Sequence, residues 1–301
     1  MCASVLGVSI NRFEELPNTV SSQSIQQIVS CFGQPVAGNP TQYMMEKAFT
    51  AAGLDWRYLT LEVPPEGLGD AVRGMRAMGF RGGNCTIPHK VAVIQYLDSL
   101  SKAARLMGAV NTINREGDKL VGENTDGKGF VQSLREVADP QHKKVVIIGA
   151  GGAARAIAVE LGLAGAEEIV VVNRSEQRGA ELVELINDWV RVASKLVVLD
   201  GDYQVEEGTE ILINATSIGL GDAEARVPLD VDTLQEGMVV ADVIFNPART
   251  RLLNDAEERG CKILDGLGML VNQAVIAFKI WTDVDPDAAV MREALEEYLE
   301  V

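Results

Sequence analysis

Histidine, cysteine and basic side chains are all scarce in this sequence. Only His89 and His142 stand in 301 residues, and no Gly-x-Ser-x-Gly elbow accompanies them, so serine-hydrolase triads and histidine-built metal centres lack their material. The four cysteines, Cys2, Cys31, Cys85 and Cys261, lie far apart without a Cys-x-x-Cys pair. That spacing offers neither a disulfide framework nor a zinc site, and a reducing cytoplasm fits it. No apolar run approaches the roughly 18–20 residues that span a bilayer. Lys and Arg number 27 against 43 Asp and Glu, a net charge of −16 that repels both a phosphate backbone and an anionic membrane surface. Nucleic acid, membrane and metal are thereby set aside, and a small-molecule ligand held by a monomer or homodimer is expected.

The residues that are plentiful point to an α/β protein of two domains, since the chain exceeds one ordinary domain. Residues 1–25, rich in Ser, Gln and Asn, lack a basic lead and a long apolar stretch and read as an extension rather than a secretory signal. From Ile28, β-branched runs alternate with helical spacing. Residues 28–32 and 56–63 read as strands, 40–52 and 68–78 as helices closed by Gly53 and Gly79, and the stretch from Asn84 to Lys90 as a segment placed after a third strand. A hairpin is expected over 110–114 and 119–121, then a helix over 127–137. Six further strands, 144–148, 169–172, 196–199, 210–213, 238–243 and 262–264, are apolar enough for a parallel sheet covered on both faces. The expected organisation is an extension (1–25), a substrate-binding domain (26–126), a Rossmann-type doubly wound dinucleotide-binding domain (127–269), and C-terminal helices (270–301) that return to the first domain.

Gly149-Ala150-Gly151-Gly152-Ala153-Ala154 comes directly after the cleanest strand and opens a helix, the G-x-G-x-x-A form of the dinucleotide fingerprint. The first glycine permits the tight turn, the second lets the backbone approach a pyrophosphate, and the helix N-terminus faces its charge. An acidic residue at the end of the next strand would select NAD by binding the ribose 2′-hydroxyl. Here that end reads Asn173-Arg174-Ser175-Glu176-Gln177-Arg178, with no carboxylate at the strand end and two arginines about one helical turn apart. Two guanidinium groups suit a 2′-phosphate, so NADP is favoured over NAD, although the pair also suits a solvated helix start.

The first domain collects polar residues where its strands end: Asn39, Thr41, Asn84, Thr86, Lys90, Asn111 and Asp126. Ligands of open α/β sheets bind outside such ends. Taken singly, each has an ordinary reading, Asp126 as a helix cap, Asn111 as a turn residue, Gln273 as an exposed helix position. The words around them resemble the shikimate/quinate dehydrogenase family over nearly the whole chain. They are residues 82–90 (GGNCTIPHK), 108–112 (GAVNT), 123–127 (ENTDG), 149–153 (GAGGA), 214–219 (NATSIG) and 265–274 (DGLGMLVNQA). The resemblance implies an NADP-dependent dehydrogenase that reversibly reduces 3-dehydroshikimate to shikimate, with Lys90 and Asp126 as the acid–base pair. It implies further that Asn84, Thr86, Asn111 and Gln273 bond ring hydroxyls, and that Thr216, Val243 and Gly266 lie at the cofactor. Burial would lower the Lys90 pKa and Asp126 would raise it, so proton donor and fixed cation both stay open as its role.

The sequence departs from the family at the substrate. Where Ser-x-Ser-Pro usually grips the carboxylate stands Asn39-Pro40-Thr41-Gln42, and the usual tyrosine is Phe245. An amide replaces one hydroxyl and a bare ring replaces another. Quinate, or another hydroxylated cyclic carboxylate such as an amino-substituted analogue, is the alternative substrate. A non-catalytic sensor of metabolite and nicotinamide cofactor is the rival from another class, and retention of both Lys90 and Asp126 argues against it.

Overall fold

The structure, a computed structural model, describes residues 25–301; the expected extension lies outside the described residues except for Ile25. The first half runs β1 (Gln27–Gly33), α1 (Thr41–Ala51), β2 (Trp56–Glu62), α2 (Leu68–Ala77), β3 (Gly82–Cys85), α3 (His89–Ala92), β4 (Ser99–Leu100), α4 (Lys102–Met107), β5 (Thr112–Glu116), β6 (Lys119–Glu123) and α5 (Asp126–Leu134). These strands form one mixed sheet in the order β2-β1-β3-β5-β6-β4. The first three are parallel, whereas β3, β5 and β6 run antiparallel, as the predicted hairpin requires.

The second half runs β7 (Lys144–Ile148), α6 (Gly152–Leu163), β8 (Glu168–Asn173), α7 (Glu176–Leu185), β9 (Ala193–Val198), β10 (Ile211–Asn214), β11 (Val239–Asp242), α8 (Arg251–Glu258), β12 (Lys262–Leu264), α9 (Gly266–Thr282) and α10 (Ala288–Leu299). Its six strands pair in parallel in the order β12-β11-β10-β7-β8-β9, the doubly wound arrangement. Both faces are covered. Ile147 packs with Ile157 and Leu161 of α6, and its neighbour Val146 packs on the other side with Leu252 and Leu253 of α8. Alternate side chains of β7 thus enter different cores, which is why the strand shows no polar face in sequence.

The C-terminal helices return to the first sheet as expected. Phe278, Trp281, Met291 and Leu295 share a core with Val29, Met44, Phe49 and Tyr58, and Trp281 Nε1 donates to the Ile113 carbonyl at 2.9 Å. Helix α5 is held between α6 and α9 by two glycines. A Cβ on Gly127 would overlap the Ala156 carbonyl oxygen, and one on Gly129 would stand 2.5 Å from the Gln273 amide nitrogen. This close approach fixes the helix that carries Asp126.

Three details correct the sequence reading. Asn84 lies inside β3 rather than after it. The helix expected over 127–137 starts at Asp126 and ends at Leu134, where Val137 and Ala138 turn back onto the Leu134 carbonyl. The elements α3, β4 and α4 carry no sequence signal because four, two and six residues are too few to display a period. Among the described residues, no helix is long and apolar enough to cross a membrane.

Candidate active site

The carboxyl ends of β1 and β3 open onto a cavity of about 380 Å³, closed on the far side by the starts of α5 and α9. Asn39, Thr41, Asn84, Thr86, Lys90, Asn111, Asp126, Phe245 and Gln273 all line it. The side chains singled out as catalytic and substrate-binding in sequence therefore do converge.

Lys90 is placed by its neighbours. His89 is fully buried with Nε2 2.7 Å from the Val63 carbonyl, the His89 amide donates to Thr86 O, and the Lys90 carbonyl accepts from Val110 N at 2.7 Å. His89 thus anchors the short helix, a role with no signal in the sequence. The Lys90 ammonium donates to Asp126 Oδ2 at 2.6 Å. Burial pulls the Lys90 pKa down, but the charge and hydrogen bond of Asp126 outweigh it and hold the pKa above the ordinary lysine value. The resting site therefore holds a charged ammonium, the state that a proton donor and a fixed cation share.

Asp126 is the first residue of α5, and its carboxylate does not cap that helix. Oδ1 instead accepts from Asn111 Nδ2 at 2.8 Å, while the Asp126 amide donates to Asn124 Oδ1. Asn111 is already occupied within the protein: Nδ2 also donates to Thr125 Oγ1, and Oδ1 accepts from Thr125 N and Thr112 Oγ1. It orients Asp126. Asn84 is held similarly, with Oδ1 accepting from Tyr58 Oη at 2.7 Å and Nδ2 donating to Asn111 O and Thr112 Oγ1.

Groups with spare capacity lie elsewhere on the wall. Asn39 Oδ1 accepts from Thr41 N at 2.9 Å, leaving its Nδ2 with only a 3.8 Å approach to Cys31 Sγ. Gln273 spends one Nε2 hydrogen on Leu270 O, and the Thr41 and Thr86 hydroxyls have no protein partner among the described residues. Among the described residues, Lys90 is the sole cation of the lining, and Asp126 balances it. Cys31 and Cys85, missed as site residues in sequence, form part of the floor. Burial pushes the Cys31 thiol up to about 11, against the pull of Tyr58 and Lys90, so it stays neutral.

A second cavity of about 610 Å³ lies at the carboxyl ends of β7, β8, β10 and β11. It is lined by Gly149, Ala150, Gly151, Gly152, Ala153, Asn173, Arg174, Arg178, Thr216 and Val243, and Phe245 belongs to both cavities. No side chain caps α6, and among the described residues nothing beyond the adjacent residues and the helix's own backbone lies within 4 Å of where a Cβ on Gly151 or Gly152 would sit. The first-turn amides are left open to an anion, so the donor set fits a dinucleotide pyrophosphate. Arg174 and Arg178 are exposed and form no salt bridge among the described residues, leaving both guanidinium groups available to a 2′-phosphate.

Two expected cofactor residues are not on this wall. Ser175 caps α7 by accepting from Arg178 N, and Gly266 is packed beneath the wall, where a Cβ would overlap Ile244 O. Ile87, from the first half, does line the cavity and was missed, because an exposed isoleucine in a turn carries no motif of its own. Among the described residues, no three His, Cys, Asp or Glu side chains are grouped to hold a metal ion.

Comparison with known proteins gives a consistent result. The profile for a shikimate dehydrogenase substrate binding domain matches residues 31–113, that for shikimate / quinate 5-dehydrogenase residues 132–218, and that for a shikimate 5′-dehydrogenase C-terminal domain residues 266–296. A shikimate dehydrogenase (NADP(+)) of Methanopyrus kandleri is 42% identical over 286 residues, 93% of this chain and 99% of the relative. Among solved structures, the ligand-free 5-ketofructose reductase of Gluconobacter sp. strain CHM43 is 50% identical with a TM-score of 0.89, covering 91% of this chain and 99% of that one. A shikimate dehydrogenase in complex with NADP+ is 37% identical with a TM-score of 0.84, covering 91% and 96%.

Proposed function

The chain belongs to the shikimate/quinate dehydrogenase family and is an NADP-dependent oxidoreductase acting on CH–OH groups, and from that premise we propose that it reversibly reduces an uncharged polyhydroxylated ketone through the Lys90–Asp126 pair. The observation that carries the reading is the composition of the substrate wall. A carboxylate would meet the bare Phe245 ring where the family offers a hydroxyl, and the single cation of the wall is already paired. Losing one hydrogen bond to a charged group costs about 1.5–3 kcal/mol, or roughly ten- to hundred-fold in affinity. A neutral polyol loses nothing there and gains the free donors on Asn39, Thr41, Thr86 and Gln273. The 50% identity to a 5-ketofructose reductase supports the same substrate class.

Bound NADPH supplies the hydride. The protein's part is to hold the carbonyl oxygen at Lys90 Nζ, which donates its proton as the oxygen becomes an alcohol, a contribution worth about 10²–10⁴ in rate. Asp126 Oδ2 keeps the ammonium charged beforehand, and in the reverse direction the neutral Nζ takes the alcohol's proton back while the same carboxylate stabilises the ammonium that forms. Asn111 holds Oδ1 throughout. The Phe245 ring, common to both cavities, excludes water between the two reactants.

A second reading keeps the chemistry but takes 3-dehydroshikimate and shikimate as the substrate pair, supported by curated relatives at 37–42% identity named shikimate dehydrogenase (NADP(+)). Parallel NADPH-oxidation assays with 5-ketofructose and 3-dehydroshikimate, and NADP+ reduction with shikimate and quinate, separate them. The kcat/KM for the ketose is expected to exceed that for 3-dehydroshikimate by at least about tenfold. The reverse order would establish the shikimate reading, and turnover of neither would reopen the non-catalytic sensor.

A further inference from the structure

Beneath the cofactor cavity lies a polar cluster with no assigned role. Asn214, Asp242 and Thr250 are at most 1% exposed, in an otherwise apolar layer. Asn214 ends β10 and Asp242 ends β11, and the two are paired in register. Asp242 Oδ1 accepts from Asn214 Nδ2 at 3.0 Å and from the Ile244 amide at 3.1 Å, and Oδ2 accepts from Thr250 Oγ1 at 2.8 Å. Asn214 passes the order onward: Nδ2 also donates to Ile218 O, and Oδ1 accepts from the amide and hydroxyl of Thr216. Thr216 Oγ1 then accepts from Ile218 N at 3.1 Å.

The segments tied in this way are the two that build one side of the cofactor cavity, Ala215 to Ile218 after β10 and Val243 to Phe245 after β11. The first lies directly against the glycine turn, since a Cβ on Gly149 would meet Ala215 O at 2.9 Å and Thr216 Cγ2 at 3.2 Å. Removing the Asp242 carboxylate would strand three buried donors and free both segments together. From this geometry we infer that Asp242 is a positioning residue for the nicotinamide cofactor: it sets the two loops of the cavity wall and, through them, the glycine turn, without touching the cofactor. The inference rests on the reading that this cavity takes NADP.

The test is direct titration of full-length protein with NADPH by fluorescence, beside steady-state kinetics. Asp242→Ala is expected to raise the NADPH Kd and KM together by at least about tenfold, a larger factor than its effect on the KM for the carbonyl substrate, whose cavity only Phe245 of the freed segments lines. Asp242→Asn should recover Kd to within about threefold, because its amide oxygen accepts from Asn214 and Ile244 while its NH₂ donates to the Thr250 hydroxyl. If Asp242→Ala does not fold, Thr250→Val decides, with a Kd rise of about three- to fivefold expected. A folded Asp242→Ala with wild-type Kd, an Asp242→Asn no better than alanine, or an unchanged Kd in Thr250→Val would each overturn the inference. Wild-type protein that fails to bind NADPH would overturn the cofactor reading itself.

Discussion

Replacement of Lys90 by alanine is expected to lower kcat by about 10²–10⁴ while leaving the NADPH Kd within about twofold of wild type. The two halves of that result have separate origins. Lys90 lines the substrate cavity and not the cofactor cavity, so its loss does not reach the glycine loop or the arginines. It does remove the group proposed to protonate the forming alcohol, and it leaves the part-buried Asp126 carboxylate without its 2.6 Å partner. Lys90→Arg separates charge from proton transfer, because a guanidinium keeps the charge but does not release its proton in the working pH range. A fixed cation that only polarises the oxygen would be largely restored by arginine; a proton donor would not. Steady-state kinetics beside NADPH fluorescence titration read both quantities, and undiminished turnover in Lys90→Ala would end the assignment.

The second large effect concerns cofactor choice. Arg174→Asp is expected to weaken NADPH by about ten- to hundred-fold, since a charge-assisted bond to phosphate is worth about 1.5–3 kcal/mol. NADH should be affected by less than about threefold. The new carboxylate at the end of β8 repels a 2′-phosphate and is placed where NAD-selective folds bind the ribose 2′-hydroxyl. Neither Arg174 nor Arg178 is engaged by an acidic side chain among the described residues, so the substitution breaks no internal ion pair and should leave stability unchanged. The ratio of kcat/KM for NADPH to that for NADH is the readout. Equal losses with the two cofactors would show that Arg174 does not face the phosphate.

The parts of this protein that are legible in its sequence are those where one local requirement dictates one residue type. The glycine loop, the apolar parallel strands and the arginine-bearing strand end each declare themselves within a few residues, and the structure places Gly149, Arg174 and Arg178 on one cavity. Lys90 and Asp126 are legible only through the words around them, since a lysine and an aspartate 36 positions apart carry no local pattern. The features that stay hidden depend on tertiary contact. That Asn111 serves Asp126 is due to a hydrogen bond across 15 positions, and that Asn84 is occupied is due to Tyr58, 26 positions away on another strand. Gly266 illustrates the converse: its motif points to the cofactor, whereas its hydrogen is needed for the close approach of α9 to the Ile244 carbonyl. Asp242 gives no signal as the end of an apolar strand, and its place beneath both loops emerges only from the pairing of β10 with β11.

The central claim, that a charged Lys90 gives its proton to the substrate oxygen, is tested most directly by the pH dependence of kcat/KM for carbonyl reduction. Asp126 holds the Lys90 pKa above the ordinary lysine value despite burial, so the active, protonated form persists through neutral pH and is lost only as pH rises past that raised pKa. The predicted wild-type profile carries no basic limb below the ordinary lysine value of about 10.4 and falls above it. The residual rate of Lys90→Ala should lack that fall. A basic limb between about pH 7 and 9 in the wild type would mean that burial prevails over Asp126. The resting site would then hold a neutral amine, and the proposed direction of proton transfer would be contradicted.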